Sequence, residues 1–150
     1  MIASGGIADG RGLAAALVMG AEGVNMGTRF CATVEAPIHP DAKQALVDAS
    51  ERDTQLIFRT LHNTARVLKN PISDEVVSIE RKGGATFEDI RHLVVGVRGR
   101  AALETGTNDG IVSAGQCVGL INDVPTCAEL IERMVGECRA HLQNACAWAN

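Results

Sequence analysis

Aromatic side chains are scarce in this chain, and it has no long apolar run. Its 150 residues include three Phe, one Trp and no Tyr, so aromatics make up 3% of the sequence. The core must therefore be built from Ala, Val, Leu and Ile, for which a hydrophobic content of 46% is ample. No segment is long and apolar enough to cross a bilayer, and no basic N-terminal region precedes an apolar core. We therefore expect no membrane partner and no signal peptide.

An excess of positive charge is also lacking, since the net charge is −4. This balance argues against nucleic acid as a partner. The cysteine count is odd and no pair has C-x-x-C spacing, so the sequence predicts free thiols in a reducing cytoplasm and no disulfide framework. The four histidines do not cluster with the cysteines at zinc-like spacing, and we predict no metal site.

Two strand–glycine–helix junctions lie close together at the start of the chain. The first has a predicted strand over Ile2–Ser4, the glycine pair 5–6 and a helix over Asp9–Met19. The second has a short buried strand over Val24–Met26, followed by about one helical turn over Gly27–Ala32. Because two short strands do not make a stable parallel sheet, the pattern requires further strands. The chain therefore resembles the C-terminal part of something larger.

These junctions predict a shared anion site. The N-terminus of a helix offers unpaired N–H groups and the positive end of its dipole, both of which suit a phosphate. Gly5 and Gly6 allow close approach of the backbone, and Thr28 adds a hydroxyl after Gly27. In (β/α)₈ barrels the loops after strands 7 and 8 commonly build one phosphate site. The alternative, a tight turn alone, is weakened by the second junction, and the G-x-G-x-x-G dinucleotide fingerprint is absent.

The remainder of the chain is predicted to be mainly helical. A helix is expected over Asp41–Ala49, Thr54–Arg59 is ambiguous between strand and helix, and helices are expected from Ser73 onward. Capping boxes are predicted at Thr86–Asp89 and Thr126–Glu129. The predicted domains are therefore 1–36, two β/α units with the phosphate site, and 37–150, a mainly helical region that packs on the barrel. The last helix has an apolar face made of Leu130, Ile131, Met134, Val135, Cys138 and Leu142.

Three runs carry a resemblance to a known family: Ala3–Gly12, Gly20–Phe30 and Gly115–Ile121. Together they resemble the nitronate monooxygenase (2-nitropropane dioxygenase) family from residue 1 to about 140. That family consists of FMN-dependent barrels related to the flavin-containing enoyl-acyl-carrier-protein reductases. The resemblance implies an α/β fold, namely the last two β/α units of a TIM (β/α)₈ barrel followed by a mainly helical region. The run Thr60–Val67, interpreted as helical, gives weaker support to the monooxygenase branch.

The resemblance also implies which residues bind the cofactor. The backbone of both junctions would hold the FMN phosphate, with the strand-end residues beside it and a Gly-Gln run returning towards the flavin. The implied reaction is oxidation of a small-molecule nitronate by dioxygen. The family's catalytic histidine lies upstream of the matched region, so we assign no catalytic residue. The predicted cofactor-binding residues are Ser4, Gly5, Gly6, Met26, Gly27, Thr28 and Gln116.

Several alternatives remain open at this stage. The chain could be a truncated monooxygenase that is inactive alone, a fragment of an enoyl reductase, or a non-catalytic module that associates through an exposed barrel edge. Arg11 and Arg29 could bind the phosphate or form surface salt bridges, for example to Asp9 or Glu22. Cys31 is expected to be a buried, unreactive thiol.

Overall fold

The computed structural model describes residues 1–148, which begin with a parallel β–α–β unit. Strand β1 (Ile2–Ser4) pairs in parallel with β2 (Gly23–Asn25), and helix α1 (Gly10–Val18) connects them. The short helix α2 (Thr28–Cys31) follows β2. Both predicted strands and both predicted helices of this part of the chain are therefore present.

The rest of the described chain contains six helices and one β-hairpin. Strands β3 and β4 pair antiparallel, with Thr54 opposite Leu68, and an isolated bridge joins Val67 to Ser113. The elements are α3 (Pro40–Asp48), β3 (Thr54–Ile57), β4 (Ala65–Leu68), α4 (Pro71–Arg81), α5 (Phe87–Val94), α6 (Gly96–Thr105), a 3₁₀ helix (Gln116–Leu120) and α7 (Cys127–Trp148).

Two of the predicted helix starts are confirmed by their hydrogen bonds. The Thr86 amide donates to the Asp89 carboxylate at 2.8 Å at the start of α5. The Thr126 amide donates to the Glu129 carboxylate at 2.8 Å, and the Glu129 amide donates to the Thr126 hydroxyl, at the start of α7. Helix α4 begins two residues earlier than Ser73, because the Asn70 side chain accepts the Ser73 amide at 2.8 Å and forms the cap.

The helical interpretation of residues 60–67 is wrong. These residues form the hairpin turn and strand β4. Phe58 and His62 have left-handed backbone angles, with φ of 63° and 54°, which no helix tolerates. The buried Glu80 carboxylate fixes the turn from α4 by accepting the amides of Phe58 and Thr60 at 3.0 and 3.2 Å. A contact across 20 residues of sequence therefore overrides the local preference.

The core is aliphatic, as the shortage of aromatics predicts. One buried cluster lies beneath the N-terminal junctions, and the other lies between the hairpin and helices α4 and α5. The first includes three alanines, whereas the second consists of Ile, Val and Leu side chains. The first cluster is Ala8, Ala32, Leu46, Ala114, Val118 and Ile121. The second is Ile57, Val67, Ile72, Val76, Ile90 and Leu93.

Helix α7 packs along α1 and holds the C-terminal region against the β–α–β unit. A Cβ atom placed on Gly10 would lie 2.3 Å from the Glu137 Cβ and 2.7 Å from the Met134 carbonyl oxygen, so the two helices touch through this glycine. Of the predicted apolar face of α7, Leu130, Met134 and Cys138 are buried, whereas Ile131 is 51% exposed. The division at residue 36 remains a prediction, and residues 149 and 150 of the second predicted domain lie outside the described residues. No helix within residues 1–148 has the length and apolarity needed to span a membrane.

Candidate functional site

The two junctions meet at one edge of the parallel pair. Ser4 lies opposite Asn25 at the carboxyl ends of β1 and β2. The Asn25 side-chain amide donates to the Ser4 hydroxyl at 3.2 Å, and the Gly5 amide donates to the Asn25 carbonyl at 3.1 Å. Since the carboxyl ends of parallel strands are where α/β folds build their sites, this edge is the candidate site.

The glycine pair of the first junction lies in the left-handed region. Gly5 has φ of 82° and Gly6 has φ of 76°, and both are exposed. No heavy atom lies within 4 Å of the Cβ position at either glycine, so a ligand has open access to this turn. The Gly5 amide is already bonded to Asn25, which leaves the Gly6 amide as the donor of the pair.

The second junction contributes the first turn of α2. Within residues 1–148 the amides of Gly27 and Thr28 donate to no acceptor, as the first amides of a helix do. Gly27 is exposed, and Met26, at the end of β2, is half-buried. The Thr28 hydroxyl accepts the Gly115 amide at 3.0 Å and so ties this junction to the segment that precedes the 3₁₀ helix.

Cys117 lies between the two junctions, a position that the sequence reasoning missed. Burial raises the pKa of its thiol, while hydrogen bonds from the Thr28 hydroxyl and the Gly6 amide partly offset that effect. The neutral sulfur therefore lies close to both junctions. Cys117 lies within the run Gly115–Ile121 that carries the family resemblance. Its contacts with Gly6 and Thr28 span 111 and 89 positions of the chain, so no local pattern predicts them.

Gln116 begins the 3₁₀ helix, directly between Gly115 and Cys117. The structure therefore places its backbone beside the second junction, and its role in cofactor binding stays a prediction. Its side chain is exposed and makes no hydrogen bond with another residue in 1–148.

The N-terminus of α1 is not available to an anion, contrary to the expectation for the first junction. The Asp9 carboxylate accepts the Gly12 amide at 3.0 Å, and the Glu137 carboxylate accepts the Gly10 amide at 2.9 Å. Burial opposes ionisation of Asp9, but the Gly12 amide and Arg11 outweigh it and hold the Asp9 pKa below its usual value. Two carboxylates thus cap α1, and an anion site can use only the glycine turn and α2.

The two arginines near the junctions have different partners. Arg11 forms the predicted salt bridge with Asp9, at 2.8 Å from its Nε. Arg29 is 2% exposed and pairs with Asp123, whose carboxylate and carbonyl oxygens lie 3.2 and 3.1 Å from its Nη2. Neither expectation for Arg29, a phosphate contact or a surface salt bridge to Glu22, is therefore correct. Cys31 is exposed and not buried, although partial burial of its thiol raises its pKa.

The four histidines lie on other elements than the glycine turn, and His141 lines a cavity with Ala8 and Asp9, which follow that turn. His39 accepts the Asp41 amide at 3.2 Å at the start of α3. His62 is at the tip of the hairpin, His92 is on α5 and His141 is on α7. Among residues 1–148 no group of three or more His, Cys, Asp or Glu side chains is arranged to hold a metal ion.

Comparison with known proteins identifies the family that has this arrangement. The family model of nitronate monooxygenase matches residues 1–137. The chain belongs to the nitronate monooxygenase family. It is 29% identical to a probable nitronate monooxygenase of Bacillus subtilis, over 91% of this chain and 39% of that protein. It is 31% identical to the octahydro-1H-indene-4-carboxyl-CoA dehydrogenase of Mycobacterium tuberculosis, over 98% of this chain and 52% of that protein.

A solved structure supports the fold. FabK from Thermotoga maritima superposes with a TM-score of 0.90 and 37% identity, over 98% of this chain and 46% of FabK. The predicted fold class, the last two β/α units of a (β/α)₈ barrel followed by a mainly helical region, is confirmed. The chain spans about half the length of the curated relatives it matches.

Proposed function

We propose that this chain forms the phosphate-binding part of an FMN-dependent nitronate monooxygenase, an oxidoreductase that oxidises alkyl nitronates with dioxygen. The observation that carries the proposal is the meeting of two strand–glycine junctions at one sheet edge in a member of this family. The open, left-handed Gly5–Gly6 turn follows β1, and the amides of Gly27 and Thr28, which donate to no acceptor within residues 1–148, follow β2 at the same sheet edge. These groups fit a phosphate ester, because an anion needs several N–H donors and close approach to the backbone.

Each residue has a separate role in this proposal. The amides of Gly6, Gly27 and Thr28 bind the phosphate, and the Thr28 hydroxyl can donate to it while still accepting the Gly115 amide. Ser4 and Met26 flank the phosphate at the strand ends. Cys117 lies beside two of these residues, Gly6 and Thr28.

When bound, the flavin supplies the redox chemistry between nitronate and dioxygen. The described residues bind and orient its phosphate end. We assign no catalytic residue to this chain, because none of its histidines lies at the glycine turn. Accordingly, we expect the 150-residue chain to bind FMN but to have little or no turnover alone.

The test is the absorbance spectrum of the purified chain after gel filtration with added FMN. Flavin that elutes with folded chain supports the proposed site, and the same sample is then assayed for consumption of a propyl nitronate. Free flavin that separates from a folded chain would contradict the site. Rapid turnover of the nitronate would contradict the absence of a catalytic residue.

A second candidate function is suggested by the likeness to FabK, which at 37% identity exceeds that to the nitronate monooxygenases compared above. In this alternative the parent enzyme is an FMN-dependent enoyl-acyl-carrier-protein reductase. The two functions use the same phosphate site and differ in their electron donor. Reduction of the bound flavin by NADPH, without a nitronate, would favour the reductase.

The exposed side of the β–α–β unit favours a third, non-catalytic role. Met1, Ile2, Val18 and Met19 are each more than 60% exposed, and β1 has one strand neighbour in the described chain. An open strand edge beside apolar side chains is a template for association. We propose that the chain self-associates through this edge, in the cytoplasm, and sedimentation as a monomer would argue against it.

A further inference from the structure

An apolar cavity of about 440 Å³ lies beside Cys31, at the C-terminal end of α2. The glycine turn lies towards the other end of this helix. It shares no residue with the proposed phosphate site. Aliphatic side chains from α3, α5, α6 and the segment after α6 line most of its wall, including Leu46, Val94, Leu103 and Ile111. A concave, mainly apolar space of this size is typical of a small-molecule site.

The break between α5 and α6 keeps the cavity open. Helix α5 ends at Val94, and the extended backbone of Val95, with ψ of 130°, turns the chain into α6. No heavy atom lies within 4 Å of the Cβ position of Gly96, so this part of the wall is unfilled. At Gly99, in contrast, a Cβ would lie 2.9 Å from the Ile111 carbonyl oxygen, which fixes α6 close to the opposite wall.

One positive charge marks the rim. Among the described residues that line the cavity, Arg100 alone is charged, and it makes no ion pair or hydrogen bond with any residue in 1–148. The lining also includes Cys31, whose thiol stays neutral because burial raises its pKa. An aliphatic lining with one unpartnered guanidinium at its rim complements a ligand that has a hydrocarbon tail and a single negative charge at one end.

We infer that this cavity binds an aliphatic monocarboxylate, with its chain among Leu46, Val94 and Leu103 and its carboxylate at Arg100. The inference does not rest on the proposed flavin site, which lies at the other end of α2. The protein should therefore bind the carboxylate ligand in the absence of FMN. A variant that no longer binds the carboxylate ligand should still bind FMN.

The first test titrates butyrate, hexanoate and octanoate into the full 150-residue chain by calorimetry. Each added methylene should tighten binding by about fourfold, with a negative heat-capacity change. Val95→Trp should abolish octanoate binding, because Val95 lines the cavity at its rim. Val97→Trp, on an exposed face that does not line the cavity, is the matched control and should bind octanoate normally.

The second test separates the head group from the chain. Arg100→Ala should weaken octanoate by about fivefold, since an ion pair at an exposed rim is weak, and should leave 1-octanol binding unchanged. Arg139→Ala, which removes an exposed charge from α7, should change neither. Equal binding of the three carboxylates would overturn the inference. Equal octanoate binding by Val95→Trp and Val97→Trp would also overturn it. If Val95→Trp does not fold, the inference is judged by whether Arg100→Ala weakens octanoate binding.

Discussion

Substitution of Gly6 by Val tests whether the glycine turn binds phosphate. Gly6 has φ of 76°, and nothing in the described chain lies within 4 Å of its Cβ position. A valine there meets no protein atom, but it adds bulk to the turn that a phosphate must approach and disfavours the left-handed backbone that aims the Gly6 amide. We expect Gly6→Val to abolish detectable FMN binding.

The expected loss follows from the hydrogen bond involved. A hydrogen bond to a charged group contributes about 1.5–3 kcal/mol, so loss of the Gly6 amide alone weakens FMN by roughly tenfold to a hundredfold. Steric exclusion of the phosphate adds to this. The substitution also strains the backbone by about 1–2 kcal/mol, which lowers the stability of the chain.

Gly20→Val separates the strain from the binding effect. Gly20 follows α1 with φ of 92°, has open space around its Cβ position and lies outside the candidate site. Quenching of FMN fluorescence gives the affinity of each variant, and urea unfolding gives its stability. Both variants should lose similar stability, but only Gly6→Val should lose FMN. If the two bind FMN equally, the Gly5–Gly6 turn is only a turn and the phosphate assignment fails.

Two further predictions concern the packing and electrostatics around the site. Gly10→Ala should lower the free energy of unfolding by about 2–4 kcal/mol because its Cβ would overlap α7. Gly136→Ala, at an open position in α7, should raise the free energy of unfolding by up to about 1 kcal/mol. Urea unfolding of both variants measures these changes. Asp123→Asn should cost about 2 kcal/mol at pH 7 by leaving buried Arg29 without a carboxylate. Hydrogen bonds from Arg133, with Arg29, hold the Asp123 pKa below its usual value, so its stabilisation is present above about pH 4 and lost as the pH falls further; the variant should show a flatter acid limb in unfolding measured against pH.

Local signals explain which parts of the fold could be predicted from the sequence. The strands β1 and β2 are short apolar runs that end at glycines, and the starts of α5 and α7 are set by capping boxes within four residues. Such features need no knowledge of distant residues. The hairpin was missed because its turn depends on left-handed angles at Phe58 and His62 that the buried Glu80 holds in place from α4.

The candidate site likewise has features that local sequence predicts and features that depend on distant residues. Gly5, Gly6, Gly27 and Thr28 could be placed together because two parallel strands bring their carboxyl ends to one edge. The burial of Arg29 could not be predicted, since its partner Asp123 is 94 residues away. The loss of the α1 N-terminus to Glu137 is likewise invisible locally, because 127 residues separate the carboxylate from the amide that it accepts.

The segment that contains Gly115 and Cys117 joins the two glycine junctions at the candidate site. Alone, each glycine junction is an exposed turn that many folds contain. The bond from the Gly115 amide to the Thr28 hydroxyl spans 87 residues and joins the C-terminal region to α2. The same segment places Cys117 beside Gly6 and Thr28. The proposed anion site would therefore form only in the folded chain, and we expect an anion that binds there to stabilise the contact between the β–α–β unit and the helical region.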